Sequence, residues 1–185
     1  MRYCLFLTNV VALGEHLFVH LFFKEVFMKE KLNKVIFNVV PQVRIRVIET
    51  NDKKAKEKKK YPFKLDNDVI VTIDTDERRF SFKIKKGYIW NGADIPRLLW
   101  RCIGSRTDNA YLIASMVHDF MLEFKKHIIE DVLKNSMELK EYRRLTSLVF
   151  RQILKDTGTN TIKANIMSWC VDVFQMTFNN KGWRI

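Results

Sequence analysis

A short segment divides the chain into a β-rich half and a helical half, and it reads Gly87-Tyr88-Ile89-Trp90-Asn91-Gly92-Ala93-Asp94-Ile95-Pro96-Arg97. Residues 88–90 favour a strand. Asn91-Gly92 predicts a tight turn, because glycine takes backbone angles that other residues avoid. Asp94 is suited to cap a helix, and Pro96 is tolerated in a first helical turn, where no amide partner is lost. The segment therefore predicts a strand, a turn and a capped helix in succession.

Four stretches before this segment predict strands, and they are residues 35–40, 43–48, 69–73 and 80–84. Residues 43–48 alternate apolar and basic side chains, which is the pattern of a strand with one solvated face. Residues 74–78 are polar and predict a hairpin turn. With residues 88–90 added, the N-terminal half is predicted to be a small antiparallel sheet of about four or five strands.

After Trp90 the spacing of apolar residues becomes helical. Asp108 is suited to cap a helix that runs to Met121. A second helical region is predicted over about residues 130–155 with one bend, ending at Gly158, which favours the left-handed conformation of a helix stop. A last helix is predicted over about residues 161–178. The predicted fold class is α+β, a small antiparallel sheet followed by a bundle of about three to four helices.

Residues 1–30 are predicted to be an apolar N-terminal helical extension, ahead of a single α+β domain at residues 31–185. The apolar side chains fit one face of an amphipathic helix. Polar residues interrupt the segment, whereas a transmembrane helix needs about 20 nearly uninterrupted apolar residues. Three interpretations stay open for residues 1–27: packing on the domain itself, contact with a membrane surface, and docking to a partner protein.

The composition excludes a disordered chain, because 47% of the 185 residues are hydrophobic and 12% are aromatic. The net charge of +12 permits a polyanionic partner, such as nucleic acid, an anionic membrane or an acidic protein face, and it would equally serve solubility. The three cysteines lie far apart without a Cys-x-x-Cys, which predicts reduced thiols.

The densest charge lies in residues 51–62, whose basic members are Lys53, Lys54, Lys56, Lys58, Lys59 and Lys60. Because like charges repel, this run predicts a solvated loop. Its lysines are the candidate contacts with nucleic acid or another anionic surface. No aromatic residues are interleaved within the lysine cluster to stack on bases.

The candidate catalytic residues are His118, Asp119 and Asp94. One imidazole and two carboxylates would suit a divalent metal or acid–base catalysis. Adjacent helix positions point about 100° apart, however, so His118 and Asp119 need not serve one centre. The alternative is a folding clamp without a cofactor, in which Asp94 caps its helix and the other two side chains bond buried backbone groups.

Two motifs in this order resemble the phage and prophage family called domain of unknown function 1353. They are residues 87–96 and the sequence Val117-His118-Asp119-Phe120, and the resemblance covers about residues 35–183. Asn91 and Asp94 stand where the family usually has Asp and Ser. The resemblance also implies an acidic residue where this chain has Ser147, and serine is a poor replacement for a carboxylate metal ligand.

The family has no established activity to carry over. The resemblance implies a bacteriophage origin and a role in the virion, its assembly or host lysis. We therefore expect a virion-associated structural protein at the tail or connector, made in the host bacterial cytoplasm, with other virion proteins as partners. The alternative is a metal-dependent hydrolase that uses His118, Asp119 and Asp94 on the cell wall during entry or lysis.

Overall fold

The computed structural model describes residues 31–46, 56, 61–92 and 109–177, and all of these belong to one compact unit. The strands are β1 (Leu32–Phe37), β2 (Val43–Ile45), β3 (Phe63–Leu65), β4 (Val69–Thr75), β5 (Arg79–Ile84) and β6 (Ile89–Trp90). The helical elements are α1 (Asn109–Glu123), α2 (Lys125–His127), a π-helical turn (Ile128–Val132), α3 (Leu139–Asp156) and α4 (Thr161–Thr177). The predicted extension at residues 1–30 lies outside the described residues.

The first sheet contains the longest strands, in the antiparallel order β1-β4-β5. Side chains along β4 and β5 alternate between buried and more exposed, as a strand with one face on the core requires. The register places Val35, Ile73 and Phe80 side by side on the buried face. On the other face the hydroxyls of Thr72 and Ser81 are 2.8 Å apart.

The second sheet is smaller, in the antiparallel order β2-β3-β6. Its central strand, β3, places Phe63 opposite Trp90 of β6, and both side chains are buried. The α+β class is confirmed, with six strands of the described chain divided between two sheets. Sequence patterning did not predict β3, because the alternation there is confined to the three residues of the strand itself.

Polar side chains at the surface hold the chain where it leaves these strands. Asp68 Oδ1 accepts from the Lys86 amide at 2.8 Å, and Asn67 Oδ1 accepts from the Gln42 amide at 2.8 Å. Asp68 Oδ2 also lies 2.5 Å from Lys83 Nζ. The Lys83 ammonium, with the Lys86 amide, holds the pKa of the Asp68 carboxyl below its usual range.

The helical half is assembled around α3, which packs against α1, α4 and β1. Tyr142 of α3 is fully buried, and its hydroxyl donates to the Met121 carbonyl at 2.8 Å. Met121 lies in the last turn of α1, where helix carbonyls have no intrahelical partner. No helix within the described ranges is long and apolar enough to cross a membrane.

The single helical region predicted over about residues 130–155, with one bend, is instead a π-helical turn followed by a break and then α3. The Leu133 amide donates to the Ile128 carbonyl five residues back, which defines a π-helical turn. Lys134 and Asn135 then take left-handed φ angles of 53° and 58°. The Asn135 amide reaches back to the Ile129 carbonyl, so the turn closes on itself before α3 begins.

The end of α3 has the conformation predicted from the sequence. Gly158 has a φ of 90°. Its amide donates to the Lys155 carbonyl, and the Thr159 amide donates to the Leu154 carbonyl, which together form a Schellman motif. Asn160 then caps α4, because its side-chain oxygen accepts from the Ile162 amide at 2.9 Å.

Candidate functional site

The sheet side of the candidate site is the chain from Lys85 to Gly92. The Gly87 amide donates to the Leu65 carbonyl at 2.8 Å, which ties the turn before β6 to β3. Gly87 has a φ of 95°, and an added Cβ there would meet nothing within 4 Å. This glycine is therefore required for its backbone angle and not for space.

Gly92, the turn residue singled out in the sequence, is constrained in two ways. Its φ is 83°, in the left-handed region. An added Cβ would lie 2.6 Å from Cε2 of Phe63, which is closer than any normal contact. Asn91, beside it, is half-buried and makes contacts of its own. The backbone at Gly92 thus lies directly against the β3 core side chain.

An aromatic cluster joins the sheets to α1. The rings of Tyr88 and Trp90 stack at 6.1 Å, and Tyr88 meets Phe120 of α1 edge-on at 5.4 Å. Phe120 also stacks on Phe82 of β5 at 5.5 Å. Trp90 is 2% exposed, and its indole Nε1 has no hydrogen-bond partner among the residues that the structure describes. Phe120 therefore fixes the position of α1 relative to both sheets.

His118 lies in α1 and its side chain is buried in the helical core. It is 7% exposed, and its ring meets Phe150 of α3 edge-on, with centroids 5.6 Å apart. Its Nδ1 lies 3.4 Å from Oδ1 of the adjacent Asp119, which is a long contact. Both residues make further contacts. The imidazole is thus a packed core group that its own helix and α3 surround.

Asp119 belongs to a different group of side chains, around the Tyr88 hydroxyl. That hydroxyl donates to Glu123 Oε2 at 3.1 Å. Burial raises the pKa of the Tyr88 phenol, and the negative charges of Asp119 and Glu123 raise it further. The site therefore combines a phenol and two carboxylates, with Asp119 half-buried beside His118.

Sequence reasoning found Asp119 but missed Tyr88 and Glu123 as members of one group. The signal for Glu123 is its spacing, because residues four apart lie on the same face of a helix. The signal for Tyr88 is weaker, since its approach to α1 depends on how the sheet packs on that helix.

Ser147, where the resemblance implies an acidic residue, has a carboxylate beside it from another helix. Asp172 of α4 places Oδ1 3.4 Å from the Ser147 hydroxyl. The same oxygen forms an ion pair with Arg143 of α3, whose side chain is 12% exposed. Ser168 of α4 donates to the Ser147 carbonyl at 2.8 Å. These contacts fasten α3 to α4.

Other predicted site residues lie outside the described ranges: Asp94, Pro96, Lys53, Lys54, Lys58, Lys59 and Lys60. Lys56 is described and is exposed. The set of His118, Asp119 and Asp94 is therefore described only in part. Among the described residues, no three His, Cys, Asp or Glu side chains are grouped so that they could hold a metal ion.

Comparison with known proteins places the two motifs in one family. The sequence profile of the family described as "Protein of unknown function (DUF1353)" matches residues 63–171. This range contains β3 to β6, α1, α3 and the first part of α4. It therefore includes both the Tyr88–Gly92 segment and His118.

A bacterial protein is similar to part of the chain. The "Uncharacterized protein y4jT" of Sinorhizobium fredii (strain NBRC 101917 / NGR234) is 29% identical over 117 residues. The alignment covers 55% of this chain and 31% of that protein, so this chain spans less than a third of the relative's length. No solved structure matches the chain. The match over residues 63–171, together with the motifs that it contains, shows that the chain belongs to the DUF1353 family of proteins of unknown function.

Proposed function

We propose that this protein is a bacteriophage structural protein that is carried in the virion, at the tail or connector. In this role it docks neighbouring virion proteins through its N-terminal segment and its basic surface. The phage setting is taken from the resemblance of its two motifs to phage and prophage proteins. The net charge of +12 supports docking to acidic protein faces.

The observation that carries this proposal is the packing of His118. A catalytic imidazole must reach its substrate or metal through hydrogen bonds. Here the ring is 7% exposed and packs edge-on against Phe150. Gly92 is likewise fitted against Phe63. Gly92 and His118, which are described residues of the two motifs, therefore pack within the core, and this supports a function carried by the outer surface.

Mass spectrometry of purified, washed particles of the encoding phage tests the proposal. We expect the protein at a fixed ratio to known tail or connector proteins. Washing in high salt should release it only partly, since the docking surface includes apolar as well as charged groups. Finding the protein in the lysate of infected cells but never in washed particles would contradict a place in the virion.

A metal-dependent hydrolase that acts on the cell wall during entry or lysis is the second candidate. The observation in its favour is the group around Tyr88, where Asp119 and Glu123 bring two carboxylates to one phenol beside His118. Such a group suits proton transfer, and a divalent cation would need ligands beyond the described residues. Asp94 would complete the set that was predicted from the sequence.

His118→Ala separates the two candidates. If His118 is a packing group, the variant should lose about 1–3 kcal/mol in the free energy of unfolding, because a buried ring and its contact with Phe150 are removed. Urea denaturation measures this loss. His127→Ala is the matched control, because His127 is an exposed histidine of the same domain, and it should change stability by less than about 0.5 kcal/mol.

A hydrolase gives the opposite result. In that case His118→Ala would abolish the release of soluble fragments from purified cell walls while the urea midpoint stays at the wild-type value. Wild-type protein would also retain a stoichiometric metal ion after gel filtration. An unchanged midpoint together with lost cell-wall activity would overturn the structural proposal.

A further inference from the structure

The strand β2 lies at the outer edge of the second sheet, whose order is β2-β3-β6. The outer strands of the first sheet lie beside helical elements, since β1 packs against α3 and β5 against the π-helical turn. Among the described strands, β2 has β3 on one side and no strand on the other. An edge of this kind presents unpaired backbone groups with which a further strand can pair.

The ladder with β3 determines which backbone groups of β2 point outward. The Arg46 amide donates to the Pro62 carbonyl at 2.7 Å, directly after the last residue pair of the ladder. In an antiparallel pair, the N–H and C=O groups of alternate residues point to the same neighbouring strand. Arg44 therefore points its backbone groups toward β3, as Arg46 does. The amides and carbonyls of Val43 and Ile45 point away from β3, toward the open edge.

Both ends of β2 are held by hydrogen bonds, so the outward groups have fixed positions. At the start of the strand, the Gln42 amide donates to Asn67 Oδ1 at 2.8 Å, and the Asn67 side chain donates to the Val40 carbonyl at 3.1 Å. At the other end, a guanidinium nitrogen of Arg46 donates to the Tyr61 carbonyl at 3.2 Å. A strand that is already extended loses little further entropy when a partner binds.

An exposed apolar side chain lies beside the outward backbone groups. Ile45 is 60% exposed, although Phe63, its partner in the register, is 3% exposed and belongs to the core. Val43 lies on the same face of β2 and is paired with Leu65, which is fully buried. The apolar face of this sheet thus continues past β3 to the edge, and a further strand beside β2 would cover it.

We propose that β2 binds an extended segment of another protein as an added antiparallel strand. Two residues of the segment pair with Val43 and Ile45, and each exchanges two backbone hydrogen bonds with its partner. The side chains of these two residues share the face of Ile45, so they are apolar. The segment therefore has the pattern apolar-x-apolar, and the two pairs lie about 7 Å apart along the strand.

The other face of β2 favours an acidic residue between the two apolar ones. Arg44 lies opposite Lys64 in the register, and like charges in this arrangement repel. Asp66, 3.1 Å from Arg44, offsets one of these two positive charges, and Lys64 forms no ion pair within the described ranges. A carboxylate on the added strand would supply the second negative charge. This charge refines the sequence of the segment, whereas the hydrogen bonds and Ile45 provide the binding.

A second copy of this chain is a poorer occupant of the edge. If two β2 strands pair with Val43 opposite Ile45, the two Arg44 side chains lie directly opposite each other and repel. Centring the pair on Ile45 places Arg44 opposite Arg46. Centring it on Val43 places Ile45 opposite Pro41, which has no amide to donate. Each antiparallel register is unfavourable, so the proposed occupant is a different segment.

This inference adds a docking surface to those of the proposed virion role and does not depend on that role. A protein found in particles could leave β2 unpaired, and a protein absent from particles could bind a segment there. The particle experiment and the binding experiment therefore fail separately.

NMR of the nitrogen-15-labelled full chain, titrated with the peptide Thr-Val-Glu-Val-Thr with both ends blocked, tests the edge. The two valines match Val43 and Ile45, and the glutamate matches Arg44. In the free protein, the amides of Val43 and Ile45 should exchange rapidly with solvent, while the Arg46 amide is protected by its bond to Pro62. Added peptide should slow the exchange of the Val43 and Ile45 amides.

Methylated peptides distinguish backbone pairing from apolar contact. Methylation of both valine nitrogens removes two donors that face β2 and keeps the side chains, so the affinity should fall at least about tenfold. The glutamate nitrogen points away from β2, and its methylation is the matched control. That change should leave the affinity within about twofold of the unmodified peptide. Equal affinities of the doubly methylated and unmodified peptides would overturn the proposal.

A change in the protein tests the apolar contact. Ile45→Gln should weaken peptide binding about fivefold, because an exposed apolar contact is lost while the backbone groups stay. Ile162→Gln is the matched control, because Ile162 of α4 is 69% exposed, and it should leave the affinity unchanged. Urea midpoints close to the wild-type value would show that both variants are folded.

Three further results would overturn the proposal. They are equal effects of Ile45→Gln and Ile162→Gln, absence of binding at about 1 mM peptide, and binding that leaves the Val43 and Ile45 amides unprotected. Protection of these amides that grows with protein concentration in the absence of peptide would show a second copy at the edge, and it would overturn the choice of partner.

Discussion

The ends of the strands and the core of the helices differ in the polar contacts that hold them. At the ends of the strands, exposed side-chain acceptors hold backbone amides, as Asp68 holds Lys86 and Asn67 holds Gln42. Among the helices, buried hydroxyls donate to backbone carbonyls, as in Tyr142 to Met121. Water can replace a lost acceptor at the surface, but nothing replaces a lost donor in the core. We therefore expect the helical contacts to contribute more to stability.

Gly92→Ala should have the largest effect on stability. It tests whether a backbone position on the sheet side can matter more for stability than the buried hydrogen bonds of the helices. The new Cβ would need a left-handed φ and would lie 2.6 Å from the Phe63 ring. We expect a loss of about 2–5 kcal/mol, combining backbone strain with overpacking. Thermal and urea unfolding measure the loss.

Gly87→Ala is the matched control, because Gly87 has a similar φ but open space around its Cα. It should lose about 1–2 kcal/mol from backbone strain alone. Phe63→Leu in the Gly92→Ala background should restore part of the stability that Gly92→Ala loses beyond Gly87→Ala. Equal losses for the two glycines would show that contact with Phe63 contributes nothing.

Tyr142→Phe should have the second largest effect and tests the helix side directly. It removes one hydroxyl and leaves the Met121 carbonyl without its donor in the core. We expect a loss of about 1–3 kcal/mol in urea unfolding. Tyr88→Phe is the same chemical change at a half-buried hydroxyl, whose partner Glu123 is exposed. If Tyr88→Phe lowers the free energy of unfolding as much as Tyr142→Phe does, burial of the hydroxyl does not determine the loss.

Asp68→Asn should have the smallest effect on stability. It measures how little a side-chain acceptor at the surface contributes to the free energy of unfolding. The amide oxygen still accepts from Lys86, but the ion pair with Lys83 is lost. Because the folded-state pKa of Asp68 is lowered, its stabilisation is present above the unfolded pKa, and it is lost as the pH falls through the folded value. The small difference in the free energy of unfolding between wild type and variant at neutral pH should therefore disappear in acid.

Urea midpoints at pH 7 and below the ordinary aspartate pKa of about 3.9 measure this difference. Lys83→Gln removes the other partner of the same ion pair, so it should match Asp68→Asn at neutral pH. If the difference in urea midpoint between wild type and Asp68→Asn is unchanged in acid, the carboxylate charge does not cause that difference.

Local patterns predicted the fold better than they predicted the site. Residues 69–73 and 80–84 alternate clearly, and they form β4 and β5. Gly158 takes the left-handed conformation that its position after α3 predicts. Residues 63–65 escaped prediction because β3 is defined by its pairing with β2 and β6, and such pairing leaves no periodic signal in three residues.

The site depends on contacts between residues that are distant in sequence. His118 and Asp119 are neighbours in sequence. His118 packs against Phe150 of α3, whereas the negative charge of Asp119 helps to raise the pKa of the Tyr88 phenol. Asp172 reaches Ser147 from another helix, 25 residues along the chain. Such contacts depend on how the helices pack, which residue spacing does not specify. The predictions for Asp94, Pro96 and most of the Lys53–Lys60 run concern residues outside the described ranges.

The π-helical turn at Ile128–Val132 has a consequence for changes in chain length. A π-helical turn holds about one residue more than an α-helical turn, because its hydrogen bonds reach five residues back. The extra residue is accommodated between α1 and α3 before the left-handed pair Lys134–Asn135. A deletion of one residue there would convert the π-helical turn into an α-helical turn. Relatives of different length can thus keep the same packing of α1 on α3, and this junction is where a one-residue gap in their alignment is expected.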